Sequence, residues 1–461
     1  MMRNLKPYES YRKINLNWLD KIPSHWNVVN NIEIWAERNK KNCADEELLS
    51  VTINKGVIRQ KDLLSSTSKK DSSNTDKSNY KYVERNDIVY NKMRMWQGAV
   101  GVSNFRGIVS PAYIVLKPRI EINPKYYHYL LRTPYYVGES YRFSYGICDD
   151  QLSLRYEDFK RMKNIMPPKY EQDQIVKYLD YKLAKINKFI KTKKRLISVL
   201  KEQKQAVINQ AVTKGLNPNV KMKPSGIEWI GDIPEHWEIT RNKNLLKLRK
   251  ETVGNEYNKH ILLSLTTNGI IPRDMENAKG KFPTDFTTYQ KVYINDLVFC
   301  LFDIDETPRT VGLSSLEGMI TGAYTVFSVV NSNKDYLYYY YLSLDQKKAL
   351  KPLYTGLRKV IPTDVFLRAK VPQPPIEEQL EIVEFIHENI STIDKTIAIA
   401  QQEIELITEY RTRLISDVVT GKVDVRGIVV DDVLEEDMEL DVIEEELEEH
   451  EEAFDAEECE V

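Results

Sequence analysis

The sequence has few of the residues that stabilise small proteins covalently or hold metal ions. Its 461 residues include only four cysteines and six histidines. No Cys-x-x-Cys pair and no His-Glu-x-x-His motif occurs, which disfavours a disulfide scaffold and a zinc site. No apolar run reaches the length of a membrane span, and Met1–Tyr8 lacks the apolar stretch of a signal peptide. We therefore expect a reduced, cytoplasmic protein without a membrane partner.

Motifs that would indicate catalysis are also absent. The chain has no Gly-x-x-x-x-Gly-Lys-Ser/Thr loop, no glycine-rich strand-to-helix turn, and no Asn-Pro-Pro-Tyr or Asp-Pro-Pro-Tyr sequence. His25 and His236 stand at equivalent places in Ile-Pro-x-His-Trp sequences, which we interpret as buried turns and not as catalytic bases. We predict no catalytic residues, no bound cofactor and no metal in this chain.

Acidic residues are unevenly distributed along the chain. The net charge is −2, but residues 431–461 contain 18 Asp or Glu and no Lys or Arg. Residues 1–430 therefore carry 66 basic and 50 acidic residues, a net charge of +16. A basic body of this kind predicts a polyanionic partner, although charge alone does not identify it.

The chain contains one internal repeat, with a period of about 210 residues. Five motifs recur in the same order, so a whole domain has been duplicated. They are WLDKIPSHW (Trp18–Trp26) and WIGDIPEHW (Trp229–Trp237), LLSVTINKGVIR (Leu48–Arg59) and LLSLTTNGIIPR (Leu262–Arg273), Asn86-Asp87 and Asn295-Asp296, Ala112-Tyr113 and Ala323-Tyr324, and PPKYEQDQIV (Pro167–Val176) and PPIEEQLEIV (Pro374–Val383).

A long amphipathic helix is predicted after each Pro-Pro pair, because proline is tolerated in a first helical turn but not inside. Apolar residues follow at alternating spacings of three and four, which is typical of a coiled-coil seam. Each helix would extend for roughly 65 Å at 1.5 Å per residue. The predicted helix–helix interface comprises Ile175, Leu179, Leu183, Ile186, Ile190, Ile197 and Leu200 in the first helix, and Ile382, Ile386, Ile390, Ile393, Ile397, Ile404 and Ile407 in the second.

We therefore predict a mixed α/β fold with two similar globular domains, joined by a pair of long antiparallel coiled-coil helices in a pseudo-twofold arrangement. Such a chain would act as a ruler that holds two different DNA-reading domains at a set distance. The predicted segments are a first domain (1–166), a first spacer helix (167–215), a second domain (216–373), a second spacer helix (374–421) and an acidic tail (422–461).

The motifs resemble the specificity (S) subunit of type I restriction-modification systems. The Trp-Ile-x-x-Ile-Pro-x-His-Trp sequence, the Asn-Asp-hydrophobic motif and Pro-Pro-x-x-Glu-Gln before a long helix carry the resemblance, which covers residues 1 to about 430. It implies two target-recognition domains on a bipartite, asymmetric site in double-stranded DNA. It also implies assembly with two modification subunits, which carry S-adenosylmethionine and methylate adenine. Two restriction subunits would add translocation and cleavage that depend on ATP and Mg²⁺.

Candidate DNA contacts were chosen by residue type, because phosphates attract Lys and Arg and base edges are read by Arg, Lys, Asn or Gln. Residues 27–165 carry a net charge of +7, and residues 238–372 one of +5. The predicted contacts are Asn54, Lys55, Arg59, Lys92, Arg94, Gln97 and Arg155 in the first domain, and Asn268, Arg273, Arg309, Arg358 and Lys359 in the second.

Two alternatives to a DNA-specificity subunit stay open at this stage. One is a coiled-coil adaptor that binds only proteins, and the other is an enzyme with an unrecognised nuclease or methyltransferase site. The tail also has two interpretations, an acidic helix that binds a partner or competes with DNA, and a disordered segment that aids solubility.

Overall fold

The computed structural model describes residues 5–53, 55–65, 76–147, 151–273, 286–356 and 359–431. The chain divides into two compact units. Of the described residues, unit 1 holds those up to Lys193 together with those from Gln401 onward, and unit 2 holds Lys194–Ala400. Each long helix therefore contributes one half to each unit, and the two units are described separately.

Unit 1 is built from short strands and five short helices, followed by the first long helix. The strands are β1 (Tyr11–Leu16), β2 (Leu19–Pro23), β3 (Asn27–Asn30), β4 (Trp35–Glu37), β5 (Leu49–Thr52), β6 (Gly56–Arg59), β7 (Lys81–Val83), β8 (Ile88–Asn91), β9 (Val100–Val102), β10 (Gly107–Val109), β11 (Tyr113–Pro118) and β12 (Lys163–Met166). The helices are α1 (Asn31–Ile34), α2 (Gln60–Ser65), α3 (Pro124–Leu131), α4 (Pro134–Phe143), α5 (Tyr156–Phe159) and the long α6 (Lys169–Lys214).

Unit 2 repeats the same order of elements with fewer short helices among its described residues. Its strands are β13 (Met222–Pro224), β14 (Asp232–Pro234), β15 (Glu238–Arg241), β16 (Leu246–Leu248), β17 (Leu263–Thr266), β18 (Gly269–Pro272), β19 (Gln290–Val292), β20 (Leu297–Phe299), β21 (Val311–Leu313), β22 (Gly318–Ile320), β23 (Thr325–Val329) and β24 (Lys370–Gln373). Its helices are α7 (Lys334–Gln346), α8 (Thr363–Arg368) and the long α9 (Ile376–Val419).

The strand pairings are the same in both units. The largest sheet has the order β4-β11-β8-β9 in unit 1 and β16-β23-β20-β21 in unit 2. Four two-stranded antiparallel pairs also correspond: β1-β2 with β13-β14, β3-β12 with β15-β24, β5-β6 with β17-β18, and β7-β10 with β19-β22. The duplication seen in the sequence is therefore a duplication of topology.

The long helices begin just after their Pro-Pro pairs and end at glycines. Gly215 and Gly421, which follow α6 and α9, have φ values of 71° and 74°, a left-handed conformation that glycine adopts without strain. Within unit 1, Lys193 lies 2.6 Å from Glu403, and the Arg411 side chain donates to Asn187 over 3.2 Å. Residues later in the sequence of α6 thus contact residues earlier in the sequence of α9, so these halves of the two helices run antiparallel.

The predicted seam residues are buried or half-buried on both long helices. In unit 1, Ile175, Leu179, Ile186 and Ile190 of α6 belong to one apolar cluster with Leu414 of α9. The two helices also carry opposite charge, since α6 has 12 basic and 4 acidic residues, whereas α9 has 3 basic and 10 acidic residues. This charge difference favours the pairing of α6 with α9 over the pairing of either helix with a copy of itself.

The mixed α/β fold with two similar domains and two long helices is thus confirmed. The predicted segment boundaries stay predictions, because the compact units divide both long helices near their middle. Among the described residues, no helix combines the length and apolarity that a membrane crossing requires.

Candidate nucleic-acid interface

A tryptophan near the start of each globular part is fixed to the first turn of a long helix. The indole Nε1 of Trp26 donates to the Glu171 carboxylate over 2.9 Å, and that of Trp237 donates to Glu378 over 3.0 Å. His25 and His236 contact the same carboxylates through Nε2. Both tryptophans are fully buried, whereas the histidine side chains are 39% and 47% exposed. The predicted turns therefore have a structural role, but the prediction that their histidines are buried is wrong.

The glutamine after each of these glutamates fixes a second element. The side-chain Oε1 of Gln172 accepts the backbone N–H of Asn123 over 2.8 Å, and Gln379 does the same for Asn333 over 2.8 Å. Each Nε2 donates over 2.8 Å to the carbonyl of the first proline of the Pro-Pro pair. Because Asn123 and Asn333 cap α3 and α7, the Glu-Gln dipeptide joins the long helix both to the tryptophan turn and to the start of a shorter helix.

The Asn-Asp-hydrophobic motif begins the central strand of each sheet. Asn86 and Asn295 adopt positive φ values of 67° and 72°, and the aspartates that follow them are buried. Arg38 donates to both carboxylate oxygens of Asp87, at 2.6 and 3.0 Å, and Arg249 pairs in the same way with the aspartate of unit 2. Burial raises the pKa of Asp87, and the hydrogen bond from Arg38 opposes that rise. The buried aspartate of the motif therefore supports the sheet.

Three loops of unit 1 lie together at one edge of the sheet. They are the hairpin turn (described residues 52–53 and 55–56, between β5 and β6), the sheet loop (residues 92–99, between β8 and β9) and the exit loop (described residues 144–147 and 151–155, after α4). Arg132 joins the hairpin turn to the start of β9, directly after the sheet loop, because its guanidinium donates to the carbonyls of Ile53 and Val100. The backbone N–H of Leu154 in the exit loop donates to the Lys92 carbonyl over 2.8 Å.

The same three loops meet in unit 2. Here the hairpin turn is residues 266–269, the sheet loop is residues 300–310 and the exit loop is described residues 354–356 and 359–361. Arg309 of the sheet loop donates to the Thr267 carbonyl over 3.1 Å. The backbone N–H of Ile361 donates over 2.7 Å to the carbonyl of Leu301, and that of Asp303 donates over 2.7 Å to Lys359.

The predicted contacts of unit 1 fall on or beside these loops. Lys55 lies in the hairpin turn, Lys92 and Gln97 lie half-buried in the sheet loop, and Arg94 and Arg155 are exposed. Arg94 donates to Gln97 over 3.1 Å, which presents the two side chains together. Asn54 lies outside the described residues.

Arg59, the remaining candidate of unit 1, follows the hairpin turn along β6 and is already engaged. It lies 3.0 Å from Glu47, with its guanidinium carbon 4.4 Å from the centre of the Phe105 ring. Lys61 also contacts Glu47, and its hydrogen bond is the main cause of the lowered pKa of that carboxyl group. A contact between Arg59 and DNA would compete with this ion pair.

The predicted contacts of unit 2 divide between exposed and engaged side chains. Asn268 is exposed at the tip of the hairpin turn, and Arg273 is half-buried at the end of β18. Lys359 is exposed but contacts Asp305 and Glu306, and its hydrogen bonds to them raise its pKa. Arg309 points inward to the hairpin turn, and Arg358 lies outside the described residues. All twelve assignments stay predictions.

Sequence reasoning missed several residues that organise these loops. His128 lies within the tyrosine-rich helix α3 and Arg132 directly follows it. Neither belongs to a motif shared with unit 2, so no signal in one sequence marks them. Arg38 and Arg249 could have been found from the repeat. They are 211 positions apart, so they occupy equivalent places in the two copies, and each precedes the Asn-Asp motif. Among the described residues, no group of three His, Cys, Asp or Glu side chains is placed to hold a metal ion.

Comparison with known proteins also finds one domain twice in this chain. A family described as the type I restriction modification DNA specificity domain matches residues 23–199 and, a second time, residues 234–409. The type I restriction enzyme MjaVIII specificity subunit of Methanocaldococcus jannaschii is 26% identical over 377 residues, which cover 75% of this chain and 81% of the relative. The putative type I restriction enzyme MjaX specificity subunit of the same organism is 25% identical over 330 residues, covering 68% of this chain and 71% of the relative.

A solved structure shares the fold at low sequence identity. It comes from work described as the structural basis underlying complex assembly and conformational transition of the type I R-M system. The alignment covers 88% of this chain and 100% of the solved chain, with a TM-score of 0.65 and 12% identity. At that identity, the likeness concerns the fold alone.

Proposed function

Because the chain belongs to the family of type I restriction-modification DNA specificity proteins, we propose that each of its two units reads one half of a bipartite, asymmetric DNA site. The chain is the non-catalytic specificity subunit of such a system. One observation supports the bipartite reading above others, namely that the same three loops meet once in each unit on the same sheet but carry different side chains. Equal scaffolds with unequal loops predict unequal half-sites.

The loops have the composition that groove reading requires. Arg94, Gln97 and Arg155 in unit 1 and Asn268 in unit 2 combine donors for phosphates with side chains that pair with base edges. We infer that exposed Arg155 contacts the phosphate backbone and that Arg94 and Gln97 act together on bases. Duplex DNA as the partner also accounts for the net charge of +16 on residues 1–430.

Exchange of one globular part tests this function. Residues 27–165 would be replaced by the matching segment of a family member with another target, and the methylated sequences would be read by sequencing. The expected result is a change in only one half of the target. The reciprocal exchange of residues 238–372 is the matched control and should change only the other half. A change in both halves from one exchange, or no change, would contradict the proposal.

The long helices are proposed to set the distance between half-sites. Insertion of seven residues in α6 and seven at the paired position of α9 preserves the seam and adds about 10 Å. At 3.4 Å per base pair, the preferred spacer should lengthen by about three base pairs. Insertion in only one helix breaks the pairing and serves as the control, since it should abolish binding and not lengthen the spacer.

We propose that modification subunits bind exposed apolar residues of the long helices. Phe189, Leu196 and Val199 of α6 are 39–51% exposed, and Ile399 and Leu406 of α9 are each 59% exposed. Spacings of seven and three place each set along one side of its own helix, as expected for a surface that receives another helix. Changing Leu196 and Val199 to Ser should weaken capture of a modification subunit. The control variant Lys201→Ser, at an exposed position near Ser198 on the same helix, should not.

The remaining assignments follow from this function. We propose that S-adenosylmethionine is held by two modification subunits, and that ATP and Mg²⁺ are held by two restriction subunits. A cytoplasmic location is inferred because the substrate is DNA. A protein-only adaptor would give no bipartite DNA footprint when the modification subunits are present, whereas a bipartite footprint is expected. An independent enzyme is tested by incubating the purified chain with DNA, Mg²⁺, ATP and S-adenosylmethionine. Neither methylation nor cleavage is expected without the other subunits.

A further inference from the structure

The two hairpin turns share an internal brace despite their different lengths. In unit 1 the Thr52 hydroxyl accepts the backbone N–H of Lys55 over 3.0 Å. In unit 2 the Thr266 hydroxyl accepts the backbone N–H of Asn268 over 3.2 Å and donates to the Gly269 carbonyl over 3.0 Å. The turn of unit 1 has one more residue between its strands, and each turn is also held by a side chain from outside the hairpin.

An arginine supplies that support in each unit, from positions that the repeat does not align. Arg132 lies at the end of α3, whereas Arg309 lies in the sheet loop before β21. Nevertheless, their Nη2 atoms donate to equivalent carbonyls, that of Ile53 over 2.6 Å and that of Thr267 over 3.1 Å. Two unrelated positions that converge on the same backbone atom indicate a requirement of the turn and not a relic of the duplication.

The two arginines differ in how many carbonyls they hold. Arg132 also donates through Nη1 to the Val100 carbonyl over 3.0 Å, so its planar fork joins the hairpin turn to β9. Burial lowers the pKa of Arg132 to about 10, which leaves the side chain charged at neutral pH. Arg309 makes one such bond, and its buried Nε has no hydrogen-bond partner among the described residues.

The surroundings of each arginine are themselves fixed. His128 lies one helical turn before Arg132, and its Nδ1 accepts the backbone N–H of Val102 over 3.3 Å. The sheet loop that carries Arg309 is held by Asp345, which accepts the backbone N–H of Thr310 over 3.0 Å and its hydroxyl over 2.6 Å. Each arginine therefore extends from a rigid base to a turn that would otherwise move.

We propose that Arg132 and Arg309 are positioning residues that fix the two hairpin turns at the carbonyls of Ile53 and Thr267, so that the neighbouring side chains of Lys55 and Asn268 read bases in register. This inference rests on the proposed function, because it assumes that the turns contact DNA. A turn held at one carbonyl presents its tip side chains in one orientation, whereas a free turn would present several. Loss of the arginine should therefore reduce discrimination between bases more than it reduces total binding.

Selection of randomised DNA duplexes by the full chain, assembled with modification subunits, tests the proposal. The variant Arg132→Gln should lower base discrimination in one half-site about tenfold, within the range of one well-placed base contact, and leave the other half unchanged. Arg309→Gln should do the converse. Arg309→Lys should restore discrimination, because one donor suffices there, whereas Arg132→Lys should restore only part of it, because a lysine cannot replace both bonds.

A matched control is Arg119→Gln, since exposed Arg119 also donates to a backbone carbonyl of unit 1, that of Trp35 over 3.0 Å, but away from the turn. It should leave discrimination unchanged. If Arg132→Gln fails to fold, Thr52→Val and Thr266→Val loosen the same turns without touching a buried charge. Equal loss in both half-sites, or uniform weakening with unchanged discrimination, would overturn the proposal. A wild-type complex without a bipartite preference would instead refute the proposed function.

Discussion

The carboxylates at the starts of the two long helices should differ in their contribution to stability. Glu171 is fully buried and accepts hydrogen bonds from Trp26 and, over 3.1 Å, from the buried hydroxyl of Tyr8. Glu378 is 22% exposed, and among the described residues the corresponding tryptophan is its only buried donor. The strand pairings align Tyr8 with Asn219, which explains why the second hydroxyl is missing in unit 2.

The magnitude follows from the number of buried donors that lose their acceptor. Each stranded donor costs about 1–3 kcal/mol. Glu171→Ala strands two and should lower the free energy of unfolding of unit 1 by about 4 kcal/mol, whereas Glu378→Ala strands one and should cost unit 2 about 2 kcal/mol. Since about 1 kcal/mol shifts the melting temperature of a domain of this size by about 2–4 °C, the two variants should differ by roughly 4–8 °C.

Urea unfolding followed by hydrogen exchange resolved along the chain would measure the two units separately. Glu377→Ala is the matched control, because Glu377 lies in the same first turn of α9 as Glu378 but is exposed. It should cost no more than the loss of a favourable charge at a helix start, about 0.5 kcal/mol. The reasoning would be refuted if Glu378→Ala cost as much as Glu171→Ala, or if neither exceeded the control.

Three further predictions concern buried or paired side chains. Burial lowers the pKa of His128 well below its usual value, so at mildly acidic pH the unfolded chain binds a proton that the folded chain does not. The free energy of unfolding should therefore fall, below about pH 6.5, by up to about 1.4 kcal/mol per pH unit. The variant His128→Gln should flatten this slope in unfolding measured as a function of pH. Gly107→Ala should destabilise unit 1 by about 2 kcal/mol, because the new Cβ would lie 2.3 Å from a backbone carbonyl oxygen. Gly138→Ala, whose Cβ would have no atom within 4 Å, should not destabilise it, and thermal melting of the two variants tests this difference. A double-mutant cycle on Lys204 and Asp394, which lie 2.7 Å apart in unit 2, should give a coupling of no more than about 1 kcal/mol that falls with added salt, and a larger value would mean that the pair is less solvated than its exposure indicates.

The long helices and the duplication could be predicted because both are local or self-comparing signals. A helix is decided by residues three and four apart, and the seam from Ile175 to Leu200 repeats that spacing along α6. Pro-Pro pairs and the glycines at 215 and 421 then mark its two ends.

The candidate interface was predicted only in part, because residue type does not say which way a side chain points. Arg94 and Asn268 are exposed on loops, as a contact requires, but Arg309 turns inward and Arg59 is paired with Glu47. Arg132 was missed altogether, since its role depends on a carbonyl 79 positions earlier in the chain. A sequence records such a contact in neither spacing nor composition.

The sequence by itself determined that one domain occurs twice, that each copy precedes a long helix, and that the body is basic. Only the tertiary structure decided what the recurring polar residues do, since Glu171 meets a tryptophan 145 positions away and Asp87 meets an arginine 49 positions away. The physical reason is one of range. Helix periodicity arises from neighbours within a turn, whereas a buried hydrogen bond depends on which distant segments the topology brings within about 3 Å.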